Sequence, residues 1–272
     1  MEKLLWKVFY FYLFVIVIKV TSDWLSIKLE NIYIFNLLLF SLPVILVAIH
    51  SVVTLFFNRA VIFIFIAGLT GFIMEYIGLR DGAFFGARYI YKPQLTLLTV
   101  PVAVIIYWIV FIYTSYCLTN SFFYWLNKNK PDYKKSSRLI LLLAVFLDGL
   151  ILVAIDLFLD PVSVKMGSWK WLVKGPFFGI PIGNFFGWFT VSIMVTGLFR
   201  SFEYFFPSPK TKYNKTIFII PVLYYGILTL FLASSSIKLQ MYDLAILGSV
   251  LMLPTVILNL FLYKKYQLRN SK

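Results

Sequence analysis

The sequence predicts an all-α membrane protein, a polytopic transmembrane helical bundle of about eight spans in which residues 1–272 form a single integral membrane domain with cytoplasmic N- and C-termini. Three observations carry that expectation. Of 272 residues, 61% are hydrophobic and 13% charged, with mean hydropathy +0.88, a balance foreign to soluble domains. Several apolar runs reach or approach the roughly 20 residues that a helix needs to cross a hydrocarbon core about 30 Å thick. With eight spans, 16 of the 25 Lys and Arg residues fall on the side of both termini and 9 on the other, and the positive-inside rule makes the richer side cytoplasmic.

The spans read as 4–20, 32–56, 61–78, 97–124, 139–158, 181–199, 217–235 and 243–263. In the first, Lys3 and Lys7 precede an aromatic-rich run, as in a signal peptide. No small-residue cleavage site follows, and Lys19 and Asp23 lead into more membrane sequence, so it counts as a span. The second holds His50, the only histidine, and the fourth holds Cys117, the only cysteine. Neither a disulfide framework nor a multi-histidine metal site follows from them, and no metal is expected. The net charge of +14 is spread among short loops, chiefly KNKPDYKKSSR (128–138) and PSPKTKYNK (207–215), rather than on one face, which argues against nucleic acid. No phosphate loop, dinucleotide fingerprint or GxSxG elbow is present.

Four carboxylates lie in or beside apolar spans: Glu75, Asp148, Asp156 and Asp160. An Asp at the centre of a membrane helix costs about 2.5–3.5 kcal/mol on insertion scales, so such a residue normally faces protein, a cavity or a partner. Glu75, in GFIMEYIGLRDG near the end of the third span, is read either as a cavity carboxylate or as an interfacial partner of Arg80. The third and fifth spans run in the same direction, which brings Glu75 and Asp156 to similar depth. Asp156 and Asp160, in DLFLDP, share a helix face. Pro161 biases Asp160 out of the α region, so the helix is expected to end there, with Asp160 either turned outward in the headgroup zone or facing the same cavity. Asp148, beside Gly149, is deeper and reads equally as a packing or a functional residue.

Each acidic region leads into a loop rich in Gly, Pro and aromatic residues, GLRDGAFFGARYIYKP (78–93) and MGSWKWLVKGPFFGIPIGNFFGWF (166–189). Aromatic belts at the interface account for isolated Trp and Tyr, but clustered Gly and Pro indicate irregular backbone covered by protein or lining a cavity. Asn184, between Gly183 and Gly187, has an amide able to orient a carboxylate or a water, or to join two helices.

Taken in order, these residues resemble a family of membrane carotenoid-biosynthesis proteins, the carotenoid 1',2'-hydratases and bisanhydrobacterioruberin hydratases. The first block, E-x-x-G-x-x-x-G-x-x-F-G then Y-x-Y, is Glu75, Gly78, Gly82, Phe85, Gly86, Tyr89 and Tyr91, with one residue more before Y-x-Y than the family pattern. The second, D-x-x-x-D-P, G-x-W-x-W and G-x-P-x-x-N-F-x-G-W, is Asp156, Asp160, Pro161, Gly167, Trp169, Trp171, Gly179, Pro181, Asn184, Phe185, Gly187 and Trp188. The resemblance implies hydration of the terminal C=C of an acyclic carotenoid. The alkene is protonated to a tertiary cation, which water then captures.

A carboxyl group in an apolar pocket is a general acid suited to that chemistry, and Glu75 is the first choice. Asp156, aided by Asp160 or Asn184, is expected to hold and deprotonate the water. Trp169, Trp171 and Trp188, with Tyr89 and Tyr91, are the expected rings around the cation. The implied partners are the polyene, membrane lipid and other enzymes of the pathway, in a plasma-type membrane and without a cofactor. Two other classes fit the same residues: a proton-coupled small-molecule transporter, and a carotenoid-binding scaffold without activity.

Overall fold

The structure, a computed structural model, describes residues 1–29, 32–126, 138–207 and 215–270. Most of the two basic connections, 127–137 and 208–214, lies outside the described residues. Eight helices among the described residues are long and apolar enough to span a membrane. They are α1 (Glu2–Trp24), α2 (Tyr33–Leu55), α3 (Phe57–Asp81), α4 (Val102–Leu126), α5 (Arg138–Lys165), α6 (Ile182–Phe205), α7 (Ile220–Lys238) and α8 (Tyr242–Asn270). Helix is what hydrocarbon demands, because it satisfies every backbone N–H and C=O within one segment. The central helix is α4, which packs against α2, α3, α5, α6, α7 and α8.

Two findings alter the sequence reading. The fifth helix does not stop at Asp160: α5 passes through Pro161 to Lys165, and Asp160 is buried rather than turned outward. Proline removes one ladder hydrogen bond, but Trp169 and Asn184 both bind the Asp160 carboxyl and hold that turn inward. Arg200, one residue past the expected span 181–199 and so counted with the loop charges, is buried inside α6. Its guanidinium forms a two-pronged pair with Asp148, Nε to Oδ2 at 2.6 Å and Nη2 to Oδ1 at 2.8 Å. It also donates to Asn120 Oδ1 at 2.8 Å and lies 4.5 Å from the Tyr116 ring centroid. Asp148 is therefore a structural residue joining α5 to α6. His50 is likewise spoken for, with Nδ1 2.7 Å from the Tyr113 hydroxyl and Nε2 3.2 Å from the Ile217 carbonyl.

The two Gly-rich loops fold back over the bundle on the side away from the termini. Each contributes a three-residue strand, β1 (Tyr89–Tyr91) from the first and β4 (Trp169–Trp171) from the second. These pair antiparallel, Tyr89 opposite Trp171 and Tyr91 opposite Trp169. A separate hairpin of β2 (Thr96–Leu97) and β3 (Val100–Pro101) leads into α4.

What seats the first loop is Phe85, whose ring fills the space between Gly78 on α3 and Gly187 on α6. A Cβ at those positions would lie 2.3 Å and 2.5 Å from it. Gly78→Ala is expected to destabilise the protein by about 1–3 kcal/mol through overpacking, read as a lower thermal unfolding midpoint in detergent; an unchanged midpoint would mean that the loop is seated otherwise.

Candidate active site

Beneath the β1–β4 ribbon lies a cavity of about 560 Å³ bounded by α1, α2, α3, α4, α5, α6, α7 and the two loops. It reaches the surface on the side away from the termini, where Asn36, Gln94 and Met166 are both exposed and part of its lining. The nine residues given catalytic or substrate-binding roles from sequence, Glu75, Asp156, Asp160, Trp169, Trp171, Asn184, Trp188, Tyr89 and Tyr91, line this one cavity; Asp148 does not.

Three buried carboxyl groups face it. α3 supplies Glu75, whose partners are donors rather than Arg80: the Tyr89 and Tyr91 hydroxyls donate to Oε1 at 2.7 Å and 2.5 Å, and the Trp108 indole N–H donates to Oε2 at 3.2 Å. Burial first, and Glu75 next, push both phenols well above their ordinary range, so they keep their protons. The period of two along β1 sends Tyr89 and Tyr91 to the same face of the ribbon, which is why both reach one carboxyl oxygen.

One turn apart on α5, Asp156 and Asp160 share the Asn184 amide. Its Nδ2 donates to Asp156 Oδ2 at 2.6 Å and to Asp160 Oδ2 at 2.9 Å. Asn184 stands in the first turn of α6, where the helix dipole favours negative charge. Asp160 Oδ1 accepts from the Trp169 indole. Asp156 Oδ1 receives no donor among the described residues, and it belongs to a side chain on the cavity wall.

All five expected rings belong to the cavity wall, and several of them also hold polar groups. Trp169 and the two tyrosines hold carboxyl groups, and Trp171 packs on Tyr89 with centroids 4.8 Å apart. The ring presented with Trp188 is Trp108, 4.2 Å away between centroids. Sequence reasoning missed Trp108 because a tryptophan within an apolar span bears no mark; only its N–H, which needs a partner when buried, hinted at a polar neighbour.

No curated protein and no solved structure matches the chain. A family model described as carotenoid biosynthesis protein matches residues 35–255. That range runs from α2 into α8 and takes in all three carboxyl groups and both loops, so the multi-pass membrane chain described here belongs to the carotenoid biosynthesis protein family.

Proposed function

We propose that the protein is a hydratase that adds water across the terminal C=C of an acyclic carotenoid end of the bisanhydrobacterioruberin or gamma-carotene type. It would act in a plasma-type membrane with both termini cytoplasmic. The observation that carries this reading is the apolar, aromatic-walled cavity with three carboxyl groups, one of whose oxygens, Asp156 Oδ1, has no donor among the described residues.

Hydration of an unactivated alkene needs one proton delivered and one removed. On this arrangement Asp156 is better suited to both tasks than Glu75, whose two oxygens already accept three hydrogen bonds. The proton on Asp156 Oδ1 passes to the less substituted alkene carbon; the π pair forms the new C–H bond and leaves a tertiary cation. Water attacks that carbon, and its surplus proton returns to Asp156 Oδ1. The atoms balance as alkene plus water to tertiary alcohol, and the acid is restored without a cofactor. Asp160 and Asn184 orient Asp156. Glu75 and the faces of Trp108 and Trp188 favour the cation, an effect worth about 2 kcal/mol or more for a desolvated ring. The polyene arrives from the lipid, and water from the exposed mouth.

The test is chromatography with mass spectrometry of pigments from a carotenoid-producing host, with and without the protein, in ordinary and oxygen-18 water. The expected product is heavier by one water and takes its oxygen from solvent. Unchanged pigments across lycopene-type and bacterioruberin-type precursors, with the protein folded in the membrane, would overturn the reading in favour of transport or scaffolding.

A further inference from the structure

A second cavity, about 650 Å³ in volume, lies beside β1 on the side away from the termini. Arg80, in the last turn of α3, and Arg88 and Lys92, on either side of β1, line it, and no carboxylate does. All three cations are exposed, and none has a carboxylate partner among the described residues. Tyr89 and Tyr91 turn inward to Glu75, so the alternation along the chain turns Arg88, Ile90 and Lys92 outward. That side carries 9 of the 25 Lys and Arg residues, and three of the nine meet in this one groove. The hairpin of β2 and β3 forms the opposite lip through Thr96 and Thr99. Around its turn it exposes three leucines, Leu95, Leu97 and Leu98, by 77%, 53% and 69%.

A cation at the end of a membrane helix commonly serves the helix dipole or reaches for headgroups at large, and that accounts for Arg80 taken alone. Arg88 and Lys92 stand on the ribbon instead. Three like charges around one hollow, with no carboxylate in its wall, favour an anion between them. A guanidinium grips phosphate with two parallel hydrogen bonds, and an ammonium adds a point charge. Free phosphate and a lipid headgroup share that chemistry, and the leucines decide between them. Water penalises three exposed leucines on one short turn, whereas acyl chains do not. A basic hollow beside membrane helices, rimmed by apolar side chains, suits a headgroup whose chains remain in the bilayer.

We propose that Arg80, Arg88 and Lys92 bind the phosphate of an anionic phospholipid in the leaflet away from the termini, with its acyl chains against the leucines of the β2–β3 hairpin. The strand β1 walls both this groove and the active-site cavity, so the bound lipid sits against the element that carries the tyrosines of Glu75. The inference does not depend on the hydration reaction.

The experiment offers the purified full-length protein in detergent an equal mixture of phosphatidylglycerol and phosphatidylcholine with the same acyl chains, and counts the retained lipids by native mass spectrometry. The wild type is expected to retain phosphatidylglycerol over phosphatidylcholine by about tenfold or more. Arg80→Gln, Arg88→Gln and Lys92→Gln, all at exposed positions, should each lower that ratio, and the triple variant should bring it near one. Retention of phosphatidylcholine should stay as it was, which shows the protein intact. Lys264→Gln with Lys265→Gln removes two charges at the other end of the bundle and should leave the ratio unchanged. A ratio near one in the wild type, one that survives the triple substitution, or one that falls equally with the Lys264 and Lys265 pair overturns the inference. Inorganic phosphate in large excess should displace little of the lipid; complete displacement would make this a site for free phosphate and overturn the lipid assignment.

Discussion

Asp156→Asn is expected to reduce hydration by a factor on the order of 10³–10⁴ while the protein still folds and binds polyene. General acid–base catalysis by one positioned side chain contributes about 10²–10⁴, and the proposed cycle asks Asp156 to act once as acid and once as base. The amide matches the carboxyl in size but neither delivers nor removes a proton. Asn184 adapts to it by turning its own amide, since a side-chain amide offers both donor and acceptor. Asp160→Asn keeps the Oδ1 of Asp156 and should lose less, about tenfold to a hundredfold. Pigment chromatography with mass spectrometry gives the rates, and fluorescence quenching confirms binding. If Asp156→Asn kept a tenth of wild-type activity, the proton would have to come from Glu75 instead.

The second large effect concerns stability. Arg200→Met or Asp148→Leu alone breaks the buried two-pronged pair on one side only, at a cost of about 3–5 kcal/mol. The double variant removes both charges together, so the two losses should fail to add by about 2–3 kcal/mol. Thermal unfolding of the three variants in one detergent measures this. Strict additivity would show that the pair, despite its two-pronged geometry, is not what holds α5 to α6 there. Glu203 and Tyr116 remain in the cluster and keep the double variant below the wild type.

The helices were legible because a bilayer admits few alternatives: runs of sufficient length and greasiness become spans, and the observed helices overlap all eight expected ones. The carboxyl groups were legible because an acid in an apolar run is too costly to be idle. Two things were not. The residue-before-proline rule, applied to Asp160, is local, and it lost to hydrogen bonds from Trp169 and Asn184 that no local rule contains. The roles of the aromatics were hidden for a similar reason. Tyr-x-Tyr and Trp-x-Trp have the strand period, but the register that sets Tyr91 against Trp169 joins positions far apart in the chain. Arg200, one residue past the expected span, looked like a loop charge because hydropathy cannot tell a paired cation from a hydrated one.

The ribbon of β1 and β4 has a consequence for how such a sequence can change over time. It places two of the donors to Glu75 and one of the donors to Asp160 on two strands that touch one another, although a long stretch of coding sequence separates them. A recombination event between codons 91 and 169 therefore unites halves that have never been selected together, and the ancestry of one loop has to follow that of the other. Hybrids built from related genes should be cut outside that interval, so that both strands are inherited from one parent.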